Sequence, residues 1–178
     1  MNRPPRRPDI PPRRSDNEKR RLHPEPGIVV RATARLHVVT YHGISKHKRD
    51  PTRFGLPHYS GRRGDESLCD DHANFEPDQM PGVPAMMQRG IRAGLLGHLI
   101  SQGVPTMLWA VADSGWIFEA RVTNIAVPDY HGYPVRPSEA SAELVFRRFH
   151  VWAETDGDGA DRRAAQACQA LYGFRNDV

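Results

Sequence analysis

The sequence predicts an α+β fold. It implies a small antiparallel β-sheet with a central hairpin at about 106–124, packed against three helices at about 84–101, 138–154 and 161–172. Three observations carry this reading. Residues 106–112 and 116–124 are strand-like runs joined by Asp113-Ser114-Gly115, a three-residue turn with a glycine able to take positive φ. Met87, Ile91, Leu95 and Leu99 recur every four residues, the spacing of a helix stripe. Leu144, Val145, Phe149 and Trp152 form a second such stripe. The order is strand, long loop, helix, hairpin, loop, helix, helix, which suits α+β layering.

The first 27 residues read as a disordered Pro/Arg-rich N-terminal arm, and residues 28–178 as one domain. The arm holds seven of the sixteen prolines, and neither helix nor sheet propagates through Pro4, Pro5, Pro8, Pro11 and Pro12. It also holds eight basic and four acidic side chains, which accounts for the whole net charge of +4. The basic character of the chain is therefore local, and it suits non-specific attachment to a polyanion.

Residues 28–41 are rich in Val, Ile and Thr and predict one or two strands. Residues 42–64 form a Pro/Gly-rich loop carrying Lys46, Lys48, Arg49, Arg53, Arg62 and Arg63, interleaved with His42, His47, His58, Phe54 and Tyr59. Cations interleaved with aromatics resemble a nucleic-acid backbone-binding segment, with stacking from Phe54 or Tyr59. Residues 65–78 reverse the sign, with six carboxylates and no Lys or Arg, so the two halves are expected to fold back on one another.

Pro84 suits a first helical turn, and Gly103 and Pro105 stop the helix. Gly90, Gly94 and Gly97 within it point to close packing against a neighbouring element. On the second hairpin strand, Trp116, Phe118, Ala120 and Val122 form the core face, leaving Ile117, Glu119, Arg121 and Thr123 opposite. Residues 125–137 read as a loop containing Tyr130-His131-Gly132-Tyr133. Ser138 is the expected N-cap of the next helix, and Gly173 ends the last.

Several classes of function are set aside. The longest apolar run, near Leu95 to Ile100, is too short to span a membrane, and no apolar segment in the arm resembles a secretory signal. Cys69 and Cys168 make no disulfide framework, which points to a reducing, cytoplasmic compartment. Asp65, Cys69, Asp70 and His72 contain metal-ligating types, but their spacing matches no zinc pattern, so neither metal nor cofactor is expected. Glycine-rich phosphate cradles are absent from the sequence.

The leading expectation is a small metal-independent ribonuclease-like toxin or effector acting on RNA, with an inhibitory protein as a possible partner and no membrane partner. Glu119 and Arg121 share a strand face, and the following loop could return His131 over it. A carboxylate can take the 2′-hydroxyl proton, a histidine can protonate the leaving oxygen, and an arginine can stabilise the phosphorane. Tyr130 or Tyr133 would stack the base. The residues of the basic loop would bind the backbone.

A second expectation rests on Thr40-Tyr41-His42-Gly43-Ile44-Ser45. This resembles the first element of the His-Tyr-Glu class of ADP-ribosyltransferases. The resemblance implies an NAD-consuming site of His42, Tyr59 and Glu119. The third expectation is a non-enzymatic nucleic-acid- or protein-binding regulator or inhibitor acting through the arm and the basic loop.

Overall fold

Residues 20–25, 34–62 and 67–174 are described in the computed structural model. In chain order the elements are β1 (Thr40–Tyr41), α1 (Cys69–His72), α2 (Val83–Arg92), β2 (Ile100–Ser101), β3 (Val104–Pro105), β4 (Met107–Val111), β5 (Ile117–Asn124), β6 (Asp129–Pro134), α3 (Ala140–Thr155) and α4 (Gly159–Tyr172). Short 3₁₀ turns at Ala34–His37, Ser45–His47, Pro51–Phe54 and Pro77–Gly82 fill the connections. The fold is α+β. Its main sheet has the order β1-β6-β5-β4, and β2 pairs with β3 separately.

The hairpin forms as its turn chemistry requires. Gly115 adopts φ +86°, and the Ala112 N–H donates to the Trp116 carbonyl at 2.9 Å. All five residues of β4 are buried, so this strand is covered on both faces. On one side, Leu108, Phe118, Ala120 and Tyr130 pack with Val83, Met87 and Ile91 of α2. On the other, Trp109, Val111 and Ile117 pack with Val145 and Phe149 of α3 and Ala165, Cys168 and Tyr172 of α4. The expected division of β5 into a core face and an open face therefore fails. Ile117 and Glu119 are as buried as Phe118 and Ala120.

The helix expected over 84–101 stops at Arg92. Gly94 takes φ +67°, and the Leu95 N–H donates to the Gly90 carbonyl at 2.9 Å, which closes the helix end. Beyond it Leu95 and Leu96 point into opposite cores, as successive residues of an extended chain do. The four-residue spacing continued past the helix at Leu95, which is a core residue whatever the backbone does, whereas Leu99 at the end of the stripe is exposed.

Gly90 lies against β4, where a Cβ would stand 2.0 Å from the Trp109 carbonyl oxygen. Gly90→Ala would gain about 1 kcal/mol of helix propensity, but the clash is with backbone and cannot be relieved by a rotamer. Overpacking of this kind costs about 1–3 kcal/mol. A lower urea midpoint for Gly90→Ala is expected, and an unchanged or raised midpoint would contradict this packing.

Among the described residues of the 28–41 segment, Thr40–Tyr41 forms one strand, which pairs parallel with β6 at the edge of the sheet. Residues 34–37 form a 3₁₀ turn, and 28–33 lie outside the described residues. The loop expected over 125–137 contains β6, which pairs antiparallel with β5. Glu139, rather than Ser138, occupies the N-cap of α3. Asp158 caps α4 with Asp161 as its reciprocal partner, so that helix begins at Gly159 rather than 161. Both cysteines are free thiols and buried. Among the described residues, no helix is long and apolar enough to cross a membrane.

Candidate functional site

The register of β5 against β6 builds the site. Glu119 pairs with Tyr133 and Arg121 with His131, so these four side chains share one face on adjacent strands. Toward β4 that face is covered by α3 and α4. Beyond Ile117 it is bordered instead by the N-cap of α3, the 3₁₀ turn Ser45–His47 and the end of the N-terminal arm. What remains is an open cleft of about 380 Å³, lined among others by Lys46, His47, Ser67, Arg121, His131, Tyr133, Arg136 and Glu139.

Glu119 lies beneath the cleft with no exposed surface. Its Oε1 accepts from the Tyr133 hydroxyl and from Arg121 Nε, the latter at 3.1 Å. Its Oε2 accepts from Arg20 Nε at 2.7 Å. A carboxylate carrying three donors fixes its neighbours in place. Burial, and then the Glu119 charge, push the Tyr133 phenol well above its ordinary pKa. Burial works against the charge of Arg20, but Glu119 and Glu139 outweigh it and hold that guanidinium protonated.

His131 stands at the mouth of the cleft, with Nδ1 2.8 Å from the Thr123 hydroxyl oxygen. Its ring stacks on His47 at 5.7 Å with an interplanar angle of 8°, and His47 also leans on Tyr133 at 4.9 Å. Burial, and then the positive charge of Arg121, push the His131 pKa below 6.5, with Asp129 opposing. Both effects favour the neutral imidazole, which can accept a proton. Arg121 lies 5.7 Å over the Tyr133 ring as well as against Glu119, so its guanidinium is doubly held.

Glu119, Arg121, His131 and Tyr133 thus come together as a constellation. Glu119, expected as a general base, is sealed under its donors and cannot meet a substrate hydroxyl. Tyr130 points to the other face of the sheet, is fully buried, and donates to the Pro105 carbonyl at 2.7 Å. It therefore cannot stack a base.

The basic loop divides. Lys46 lines the cleft. Lys48 is fully buried, with Nζ 4.9 Å over Phe54 and 5.3 Å over Phe75, so it is no phosphate ligand. Arg49 pairs with Asp71 at 3.0 Å and Arg53 with Glu76 at 2.5 Å, while Asp70 accepts from the Arg49 and Asp50 backbone N–H groups. These contacts are the fold-back expected of opposite charge blocks. Arg62 is exposed, Arg63 lies outside the described residues, and Tyr59 folds over Gly61. His42 leaves β1 exposed, two strands from Glu119, and neither His42 nor Tyr59 lines the cleft.

The sequence reading missed Arg20, His47, Ser67, Arg136 and Glu139. Arg20 belongs to the segment expected to be a disordered arm, yet residues 20–25 lie along the body. Leu22 bridges to Gly97, the His23 N–H donates to the Leu96 carbonyl at 2.7 Å, and Arg148 donates to the His23 carbonyl at 2.6 Å. The rest of the arm lies outside the described residues. Glu139 accepts from Arg20 at 2.5 Å and from the Arg136 backbone N–H at 2.9 Å. No protein-family model matches this chain, no curated protein matches it, and no solved structure matches it.

Proposed function

We propose that the cleft binds and cleaves RNA, with the chain's own side chains supplying every catalytic role. The observation that supports this most is the meeting of Arg121, His131 and Tyr133 with Lys46 and His47 around one open cleft. In this reading neutral His131 takes the proton of the ribose 2′-hydroxyl. The 2′-oxygen bonds to phosphorus and the bond from phosphorus to the 5′-oxygen breaks. His47, stacked beside His131, supplies a proton to that leaving oxygen. Arg121 and Lys46 stabilise the charge that develops on the non-bridging oxygens. Glu119 acts as a positioning residue that fixes Arg121 and Tyr133, and the general-base role assigned to it from sequence passes to His131. Tyr133 gives the cleft an aromatic wall. The products are a 2′,3′-cyclic phosphate and a free 5′-hydroxyl.

The chain would serve as a toxin or effector acting in the cytoplasm, and a producing cell would then need an inhibitory protein that covers the cleft. A labelled RNA incubated with the full chain in excess EDTA tests the reading. Fragments ending in cyclic phosphate are expected, and a DNA strand of the same sequence should stay intact because it lacks the attacking hydroxyl. RNA left intact would end the proposal.

A further inference from the structure

Two buried donors in the cleft have no hydrogen-bond partner among the described residues. Ser67 Oγ and Arg136 Nε are both inaccessible to solvent and without a hydrogen bond, and Ser67 is only 6% exposed. Both residues line the cleft. A buried polar group left unpaired costs free energy, and native structures fill nearly all such positions with protein, water or ligand. Here both sit where a ligand can enter. The Arg136 backbone N–H is already committed to Glu139, whereas Nε of its guanidinium is not.

The surrounding charge selects the ligand. Arg20 and Arg121 pair with Glu119 and Glu139, which leaves the Arg136 guanidinium as one positive charge in excess among these described groups, and Lys46 lines the same cleft. A guanidinium and a hydroxyl facing one space match the oxygens of a phosphate. Arg136 lies five residues beyond His131 in the chain, past the end of β6 at Pro134, and the Val135 N–H prolongs the pairing to Ile117.

We infer that Ser67 and Arg136 form a second phosphate subsite, which holds a phosphate flanking the one attacked near His131 and Arg121. This rests on the RNA-cleaving reading for the identity of the strand, but not for the binding of phosphate itself. It makes the preferred substrate a strand with a phosphate on that side of the scissile bond, rather than a bare dinucleoside.

The full chain is titrated with inorganic phosphate at constant ionic strength, and binding is read by calorimetry. Binding to the wild type is expected, weakened about tenfold or more by Arg136→Gln and by Ser67→Ala, given the usual strength of hydrogen bonds to charged groups. Arg136→Lys, which keeps the charge without the fork, should recover only part of it. Circular dichroism of each variant separates lost binding from lost folding. A variant that fails to fold is replaced by the wild type read with a dinucleotide carrying, or lacking, the flanking phosphate. There the phosphate should raise kcat/KM about tenfold, and equal values would overturn the subsite. Absent phosphate binding, or binding unchanged in both variants, would also overturn it while leaving the cleavage reading to be decided at His131. Phosphate binding lost in the variants, with RNA left intact by the wild type, would uphold the subsite and end the nuclease reading.

Discussion

His131→Ala is expected to lower RNA cleavage by about 10²- to 10⁴-fold, the usual worth of a positioned proton-transfer group. Binding should change little, because the phosphate is held by Arg121 and Lys46. The loss should therefore fall on kcat rather than KM. Folding should be preserved, since His131 is only half-buried on an edge of the cleft and its polar partner, the Thr123 hydroxyl, is exposed.

The pH profile gives an independent reading of the same residue. Burial and Arg121 hold the His131 pKa below 6.5. The base form is then favoured, and activity should fall as pH drops through that depressed value. Arg121→Gln removes one cause of the depression and should move the acid limb upward, toward 6.5. The same shift has a consequence for stability. In the unfolded chain His131 titrates near 6.5, so below that pH the unfolded state binds more protons than the folded one. This group's contribution to stability therefore falls as pH falls through about 6.5 and levels off below the folded pKa.

Arg20→Met should produce the largest loss of stability among single changes at the site, about 3–5 kcal/mol, as expected when one partner is removed from a buried ion pair. Arg20 is the joint partner of Glu119 and Glu139, at 2.7 and 2.5 Å, and Glu119 has no exposed surface. Without Arg20 the Glu119 carboxylate keeps only Arg121 and Tyr133. Water cannot readily replace the missing charge. Arg20→Met combined with Glu119→Gln should recover much of the loss, because the uncompensated carboxylate is then gone. Chemical denaturation of the two variants checks this. Equal stability of Arg20→Met and wild type would mean that the arm contributes nothing to the site.

The parts of the fold visible in the sequence were those set by local chemistry. The hairpin was legible because Gly115 supplies positive φ between two alternating runs. α3 was legible from its stripe and α4 from the Gly173 that ends it, although Asp158 shows that a cap three residues before the expected start can move a boundary. β6 was not legible. Gly132 and Pro134 read as loop residues, yet Gly132 is needed because a Cβ there would approach the Glu119 carbonyl oxygen to 2.8 Å. Once Asp129–Pro134 is a strand, alternation sends Tyr130 into the core and His131 and Tyr133 to the cleft. The same alternation explains why only one of the two tyrosines in Tyr-His-Gly-Tyr reaches the site.

The pairing of Glu119 with Arg121 was legible from their two-residue spacing on one strand. Arg20 was not, because it is separated from Glu119 by 99 residues and embedded in a Pro-rich, cationic stretch. Ser67 and Arg136 carry no motif at all. Their significance comes from being buried donors in a cleft, and burial is a property of the folded chain. The basic loop shows the same limit from the other side. Its composition was clear, but Lys48 became a core cation over two phenylalanine rings while Lys46, two residues earlier, faces the cleft.

The central claim, attack by the substrate's own 2′-hydroxyl at this cleft, is tested most directly with an RNA strand carrying one 2′-deoxy nucleotide. The full chain is added in EDTA and the fragments are resolved by length. Cleavage is expected at neighbouring linkages, with cyclic phosphate ends, and none at the deoxy position. Cleavage at the deoxy linkage as fast as at its neighbours, or no cleavage of the strand at all, would contradict the account.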